Sequence, residues 1–159
     1  MGCNGGDMGL AMTYVAQNGL MTEEEYPYTG RDGTCQYDEA KARKNMINSH
    51  IYPTPNDPNA LENAVAQGPV SVAIEADTLV FQFYSGGIIK SSRCGTDLDH
   101  GVLLIGYGME NNTDYWLLKN SWGNRWGDHG FFKIIRNMNP RDKTEAKGVC
   151  GLQMEPVMP

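Results

Sequence analysis

The sequence predicts an α+β fold in which the helices come first and an antiparallel sheet follows. Three observations predict it. Helix start and stop signals bracket two stretches in the first half, near residues 7–19 and 57–68. After Pro69 the pattern changes to short β-branched or aromatic runs separated by Gly, Asn and Asp, the mark of strands joined by turns. Between the helical stretches, "YPTPNDPN" carries three prolines in eight residues and reads as a crossing between two lobes.

Each element follows from local chemistry. In "CNGGDMGLAMTYVAQNG" a glycine-rich turn leads into a helix, with Asp7 placed to cap the first free N–H groups and Gly19 placed at the C-terminal end. "TEEEYPY" has the capping-box spacing, Thr22 to Glu25, but Pro27 stops any helix within a turn. Residues 30–50 are polar and irregular. Asp57-Pro58 opens the second helix, with Leu61, Ala64 and Val65 on one face, and Gly68-Pro69 ends it. The strands are "VSVAIEA", "GVLLIGYG", "DYWLLKN" and "GFFKIIR".

At 159 residues and 40% hydrophobic, the chain can build one core or two small lobes. The net charge of -6 argues against nucleic acid as a partner. No apolar run is long enough for a membrane span. "MGCNGGDMGL" has neither the basic start nor the apolar stretch of a signal peptide, and reads as the start of a fragment. Myristoylation of Gly2 is disfavoured because Gly6 stands where Ser or Thr is needed. The nearest two of the four cysteines, Cys3 and Cys35, are 32 positions apart, which is no zinc-ribbon spacing. Disulfides in an oxidising compartment are the favoured reading, with four buried thiols as the alternative. Asn111-Asn112-Thr113 is a glycosylation sequon in a polar turn, a triplet that also arises by chance.

The chemistry centres on His100 in "LDHGVLLIGYG". The imidazole sits at the mouth of an apolar strand, and Gly101 leaves space beside it. A lone histidine in such a place is more often satisfied by a turn, and a lone Asn120 at a strand end is more often a turn residue. Together with Trp122 they make a different set. A neutral amide accepts an imidazole N–H and fixes its tautomer without adding charge, and an indole shields that bond from water. The set lacks only a nucleophile.

"GCNGG", "EYPYTG", "DHGVLLIGYG", "YWLLKNSWGNRWGDHGFFKI" and "GVCGL" together resemble the papain family of cysteine proteases, in the family's order, from residue 2 to about residue 155. The resemblance implies a papain-like two-lobe fold. Residues 1–50 would be an incomplete remnant of the helical left lobe. Residues 51–159 would be an antiparallel, β-barrel-like right lobe carrying the catalytic histidine and asparagine. It implies that His100 is the catalytic base and acid, that Asn120 orients it, and that Trp122 shields their hydrogen bond. A thiolate paired with imidazolium attacks a peptide carbonyl, the histidine protonates the leaving amine, and water hydrolyses the acyl-enzyme. No metal and no cofactor is called for. Peptides and proteins are the implied substrates, and a lysosome, a vacuole or the exterior is the implied location.

In this family the histidine lies roughly 130 residues after the cysteine nucleophile, so the nucleophile is expected about 30 residues before Met1, outside this chain. The oxyanion-hole glutamine is expected upstream as well. By the same resemblance Cys94 pairs with Cys150, while Cys3 and Cys35 each pair with an upstream cysteine, on a second chain or a missing N-terminal segment. The helix that carries the nucleophile would be missing, leaving a sizeable apolar face exposed. Substrate contacts are implied for Gly5, Gly6, Met8, Ala73, Leu98, Asp99 and Gly101. Gly6 would offer backbone hydrogen bonds, and Met8, Ala73, Leu98 and Gly101 would wall the pocket for the second side chain before the scissile bond. Glu155, five residues after Cys150, would form its floor; a solvated glutamate near the C-terminus is the competing reading.

Two functions fit. The chain is the C-terminal part of a papain-like endopeptidase, inactive alone because its cysteine lies elsewhere, or a non-catalytic structural or binding component on the same fold. The intact His100, Asn120 and Trp122 favour the first. Cys3 as a substitute nucleophile is disfavoured, because a glycine-rich turn gives it no helix N-terminus to depress its pKa.

Overall fold

The structure is a computed structural model and describes residues 2–90, 94–136 and 146–159. The chain divides into two compact units, Met1–Ile51 with Pro159, and Tyr52–Met158.

The first unit is built around α1, Met8–Asn18. Asp7 caps it by accepting the Leu10 N–H at 2.7 Å. Gly19 ends it at φ 78°, a conformation suited to glycine, and its N–H bonds Val15 O. The Thr22–Glu25 box forms in a turn that goes no further. Glu25 Oε2 accepts from the Thr22 N–H and hydroxyl at 3.2 and 3.0 Å, and those bonds, with Arg43, hold its carboxyl below the usual range. Residues 30–50 contain neither helix nor strand. Among the described residues of this unit no hydrophobic side chain is buried, while Leu10, Tyr14, Leu20 and Tyr28 are exposed.

The second unit holds the core. α2, Pro58–Val65, starts where Asp57 accepts the Asn59 and Ala60 N–H groups, and it buries Leu61, Ala64 and Val65. The strands are β1 (Val70–Ile74), β2 (Ile88–Ile89), β3 (His100–Glu110), β4 (Thr113–Lys119) and β5 (Phe131–Ile135), with the short α3 (Leu79–Gln82) between β1 and β2. Val72, Ile74, Leu104, Trp116, Leu118, Phe132 and Ile134 are buried with α2 and Phe81 in one cluster. Arg136 ties helix to sheet. Its guanidinium stacks over Tyr107 and Trp116, 4.6 and 5.3 Å from the ring centroids, and pairs with Glu62 at 2.6 Å.

The expected antiparallel, barrel-like lobe needs correction. The sheet is mixed and open, in the order β1-β3-β4-β5-β2. β2 pairs parallel with β5, while the other pairs are antiparallel. A parallel pair needs a crossover, and here the chain runs through β3 and β4 between Ile89 and Phe131. Among the described residues the ladder does not return from β2 to β1, so no barrel closes there. The outer edge of β1 is covered locally, where Ser71 and Val157 exchange two backbone hydrogen bonds at 2.9 Å.

Cys94 and Cys150 form a disulfide across 56 residues, the pairing that the resemblance implies. Cys3 and Cys35 are free and exposed.

Candidate active site

Topology brings the two polar candidates together. β3 and β4 are antiparallel, with Leu103 opposite Lys119, so the start of β3 and the end of β4 share one end of the sheet. His100 is the first residue of β3 and Asn120 follows the last of β4. Asn120 is held there by its own N–H, which donates to Gly130 O at 2.9 Å across the β4–β5 connection. Residues 20 apart in sequence therefore meet, with His100 Nε2 2.8 Å from Asn120 Oδ1.

The same oxygen fixes the proton. Asn120 Oδ1 also accepts the Ser121 backbone N–H at 2.8 Å. Turning the amide over would set its NH₂ against that N–H, so oxygen belongs at this position. An oxygen there needs a hydrogen from the ring, so Nε2 carries the proton and Nδ1 is the nitrogen left for a thiol. Asn120 is only 6% exposed, and its Nδ2 is buried without a hydrogen-bond partner among the described residues. An orphaned buried donor is uncommon and costs about 1–3 kcal/mol. The fold keeps Asn120 buried with only its oxygen in use.

An aromatic layer covers this pair. The Trp122 ring lies 5.1 Å from the imidazole, tilted by 32°. Beneath both is Phe81, fully buried, 5.3 Å from Trp122 and 6.4 Å from His100 in edge-on geometry. Trp126 packs 4.9 Å from Phe81, and its indole N–H donates to Gln82 O at 3.0 Å, tying α3 to the β4–β5 connection. Excluding water lowers the local dielectric and strengthens the polar contact beneath. Sequence reasoning found Trp122 but missed Phe81 and Trp126. The quoted "NSWGNRWGDHGFF" already contained Trp126, and nothing local to "TLVFQF" singles out Phe81.

The expected substrate residues fall into two groups. Ala73 lies opposite Gly101 and Ile74 opposite His100 in the β1–β3 ladder. Asp99, next to His100, is occupied by structure, since its carboxylate accepts the Ala76 and Asp77 N–H groups at 2.7 and 3.2 Å. It fixes the bend that leads to α3. Leu98 is half-buried and packs against Gly151, whose φ of 76° and close neighbours Leu98 and Met154 leave no space for a side chain. Met154 and Gly151 escaped sequence reasoning, because contacts across the disulfide are not local. Glu155 is exposed. Gly5 and Gly6 are exposed in the turn before α1, and Met8 opens that helix, all in the first unit. Among the described residues no group of three or more His, Cys, Asp and Glu is placed to hold a metal ion.

The family model described as papain family cysteine protease matches residues 1–159. The chain is 44% identical over 159 residues to the probable cysteine protease RD21B of Arabidopsis thaliana, covering 99% of this chain and 33% of that protein. It is 45% identical to the KDEL-tailed cysteine endopeptidase CEP2 of the same plant, covering 99% of this chain and 42% of that protein. Among solved structures, the bromelain protease of Ananas comosus superposes with a TM-score of 0.89 at 32% identity, over 100% of this chain and 71% of that one. Digestive procathepsin L2 of Tenebrio molitor gives 0.87 at 44% identity, over 100% and 48%. The chain belongs to the papain family of cysteine proteases, with the family's α+β fold. It spans well under half the length of these two plant relatives.

Proposed function

We propose that the chain is the histidine- and asparagine-bearing C-terminal part of a papain-family endopeptidase, and that the thiol nucleophile is supplied from outside these residues. The observation that carries the reading is the His100–Asn120 pair together with the state of the cysteines. Cys94 and Cys150, the two cysteines of the second unit, are bonded to each other, so the unit that holds His100 has no free thiol. Asn120 engages Nε2, leaving Nδ1 to take the proton of an incoming cysteine and return it to the leaving amine. Trp122 keeps water from competing for Asn120. Without the thiolate no acyl-enzyme forms, and the chain alone is inactive.

The first unit supports a missing partner. It exposes Leu10, Tyr14, Leu20 and Tyr28, buries no hydrophobic side chain among its described residues, and carries the two free cysteines. An apolar surface of that kind calls for a cover. In this reading residues 1–50 are the remnant of a helical lobe, an N-terminal segment or second chain covers it and pairs with Cys3 and Cys35, and residues 51–159 are the lobe that works. Gly5, Gly6, Met8, Ala73, Leu98, Asp99 and Gly101 border the peptide, with Glu155 at the pocket that receives the second side chain before the cut. Because the Asp99 carboxylate is engaged, its backbone is what a substrate would meet. The closed disulfide, and a relative whose name includes a KDEL tail, an address of the endoplasmic reticulum, support entry into the secretory route, with a lysosome, a vacuole or the exterior as its end in this reading.

The test is intact mass of the protein isolated from cells that express its whole coding sequence, reduced and non-reduced. A disulfide-linked segment holding Cys3 or Cys35 is expected before reduction. Recovery of both as free thiols from fresh protein contradicts the partner reading.

A further inference from the structure

The Asn111-Asn112-Thr113 triplet takes no part in the proposed chemistry, and the fold gives it a specific place. β3 ends at Glu110 and β4 begins at Thr113, so the two asparagines are the whole connection. Their φ angles, 49° and 58°, are those of a two-residue hairpin turn, and both are exposed. The turn accounts for two asparagines, but it makes no demand for threonine two places after the first. This is the one Asn-X-Ser/Thr triplet in the 159 residues. The flanking side chains are drawn back onto the sheet: Glu110 pairs with Lys133 at 2.6 Å, and Thr113 Oγ1 accepts from Lys90 Nζ at 3.0 Å. The tip is left clear.

We propose that Asn111 is an N-glycosylation site. The step is a group transfer from a lipid-pyrophosphate-linked oligosaccharide. The Asn111 amide nitrogen bonds the anomeric carbon and the bond from that carbon to the pyrophosphate oxygen breaks. The leaving lipid pyrophosphate keeps the electron pair, and the amide proton passes to a base of the transferase. A glycan here does not obstruct proteolysis. His100 and Glu110 are at opposite ends of β3, roughly 30 Å apart at the rise of an extended strand. It would instead stand beside Met109 and Tyr107, which are 67% and 42% exposed, and hydrate those two side chains.

The proposal rests on the chain's passage through the secretory route, and the experiment separates the two. The protein is isolated from eukaryotic cells expressing its whole coding sequence, mapped without reduction, and weighed before and after peptide N-glycosidase. The expected result is a mass excess that the enzyme removes, with Asn111 converted to aspartate. The excess on the peptide holding Asn111 is lost in Thr113→Ala and kept in Asn112→Gln, which preserves the triplet. An unmodified Asn111 in protein whose Cys94–Cys150 bond is closed overturns the site alone. An unmodified Asn111 with Cys94 recovered as a free thiol overturns the site and the secretory reading together. A glycan that persists on Asn111 in Thr113→Ala also overturns it.

Discussion

Replacing both Cys94 and Cys150 by alanine removes the covalent link of the second unit without leaving a lone thiol. The bridge closes a loop of 56 residues, and the loss of that constraint on the unfolded chain costs about 4 kcal/mol on the loop-entropy estimate. For a chain of this size that lowers the thermal midpoint by roughly 10–15 °C. The three tryptophans, Trp116, Trp122 and Trp126, all lie in the second unit, so tryptophan fluorescence during urea unfolding reads the right part of the molecule. The urea midpoint should fall and the slope should rise, because the uncrosslinked chain exposes more surface when unfolded. The bridge also joins the segment before Leu98 and Asp99 to the segment before Glu155. Its backbone is tied in by the Glu75 N–H, which donates to Cys150 O at 2.9 Å, so in the complete enzyme the same substitutions should weaken substrate selectivity as well as stability. A loss below about 1 kcal/mol, or Cys94 alkylated as a free thiol in fresh protein, refutes this reasoning.

Two further outcomes follow from the site. Asn120→Ala removes the acceptor of the His100 Nε2–H; at about 1 kcal/mol for that hydrogen bond the ratio of the two neutral imidazole tautomers shifts roughly fivefold, read by ¹⁵N NMR of the ring, and an unchanged ratio means that Asn120 does not orient His100. In the complete enzyme, the Glu155 carboxylate should favour Arg over Phe at the second position before the cut by pairing with a guanidinium. Glu155→Ala should remove that preference in kcat/KM, and a preference held within about twofold, less than 0.5 kcal/mol, excludes Glu155 as the reader.

The parts of this structure legible in the sequence are those written locally. Asp7 and Asp57 announce their helices because a carboxylate one residue ahead of free N–H groups caps them wherever it stands. His100 and Asn120 were legible because each is a polar residue at the end of an apolar strand, where burial needs a reason. β2 and α3 were not. Two residues carry no periodicity, and "LVFQF" is helical because Phe81 is pulled into the core beneath Trp122. The open, mixed sheet was hidden for the same reason, since the parallel β2–β5 pair depends on contacts across more than forty residues. The Cys94–Cys150 pairing and the substrate residues came from the family resemblance rather than from spacing, and the contact of Leu98 with Gly151 joins two segments, distant in sequence, that the disulfide also links.

In the proposed function, the imidazole held by Asn120 waits for a thiol from outside these residues. The direct measurement is cleavage of a dipeptidyl fluorogenic substrate by the chain alone, under reducing and mildly acidic conditions, beside its Cys3→Ser and His100→Ala variants. No hydrolysis above background is expected from any of the three. Hydrolysis that survives Cys3→Ser and disappears in His100→Ala would contradict it, because another group in the chain would then be the nucleophile.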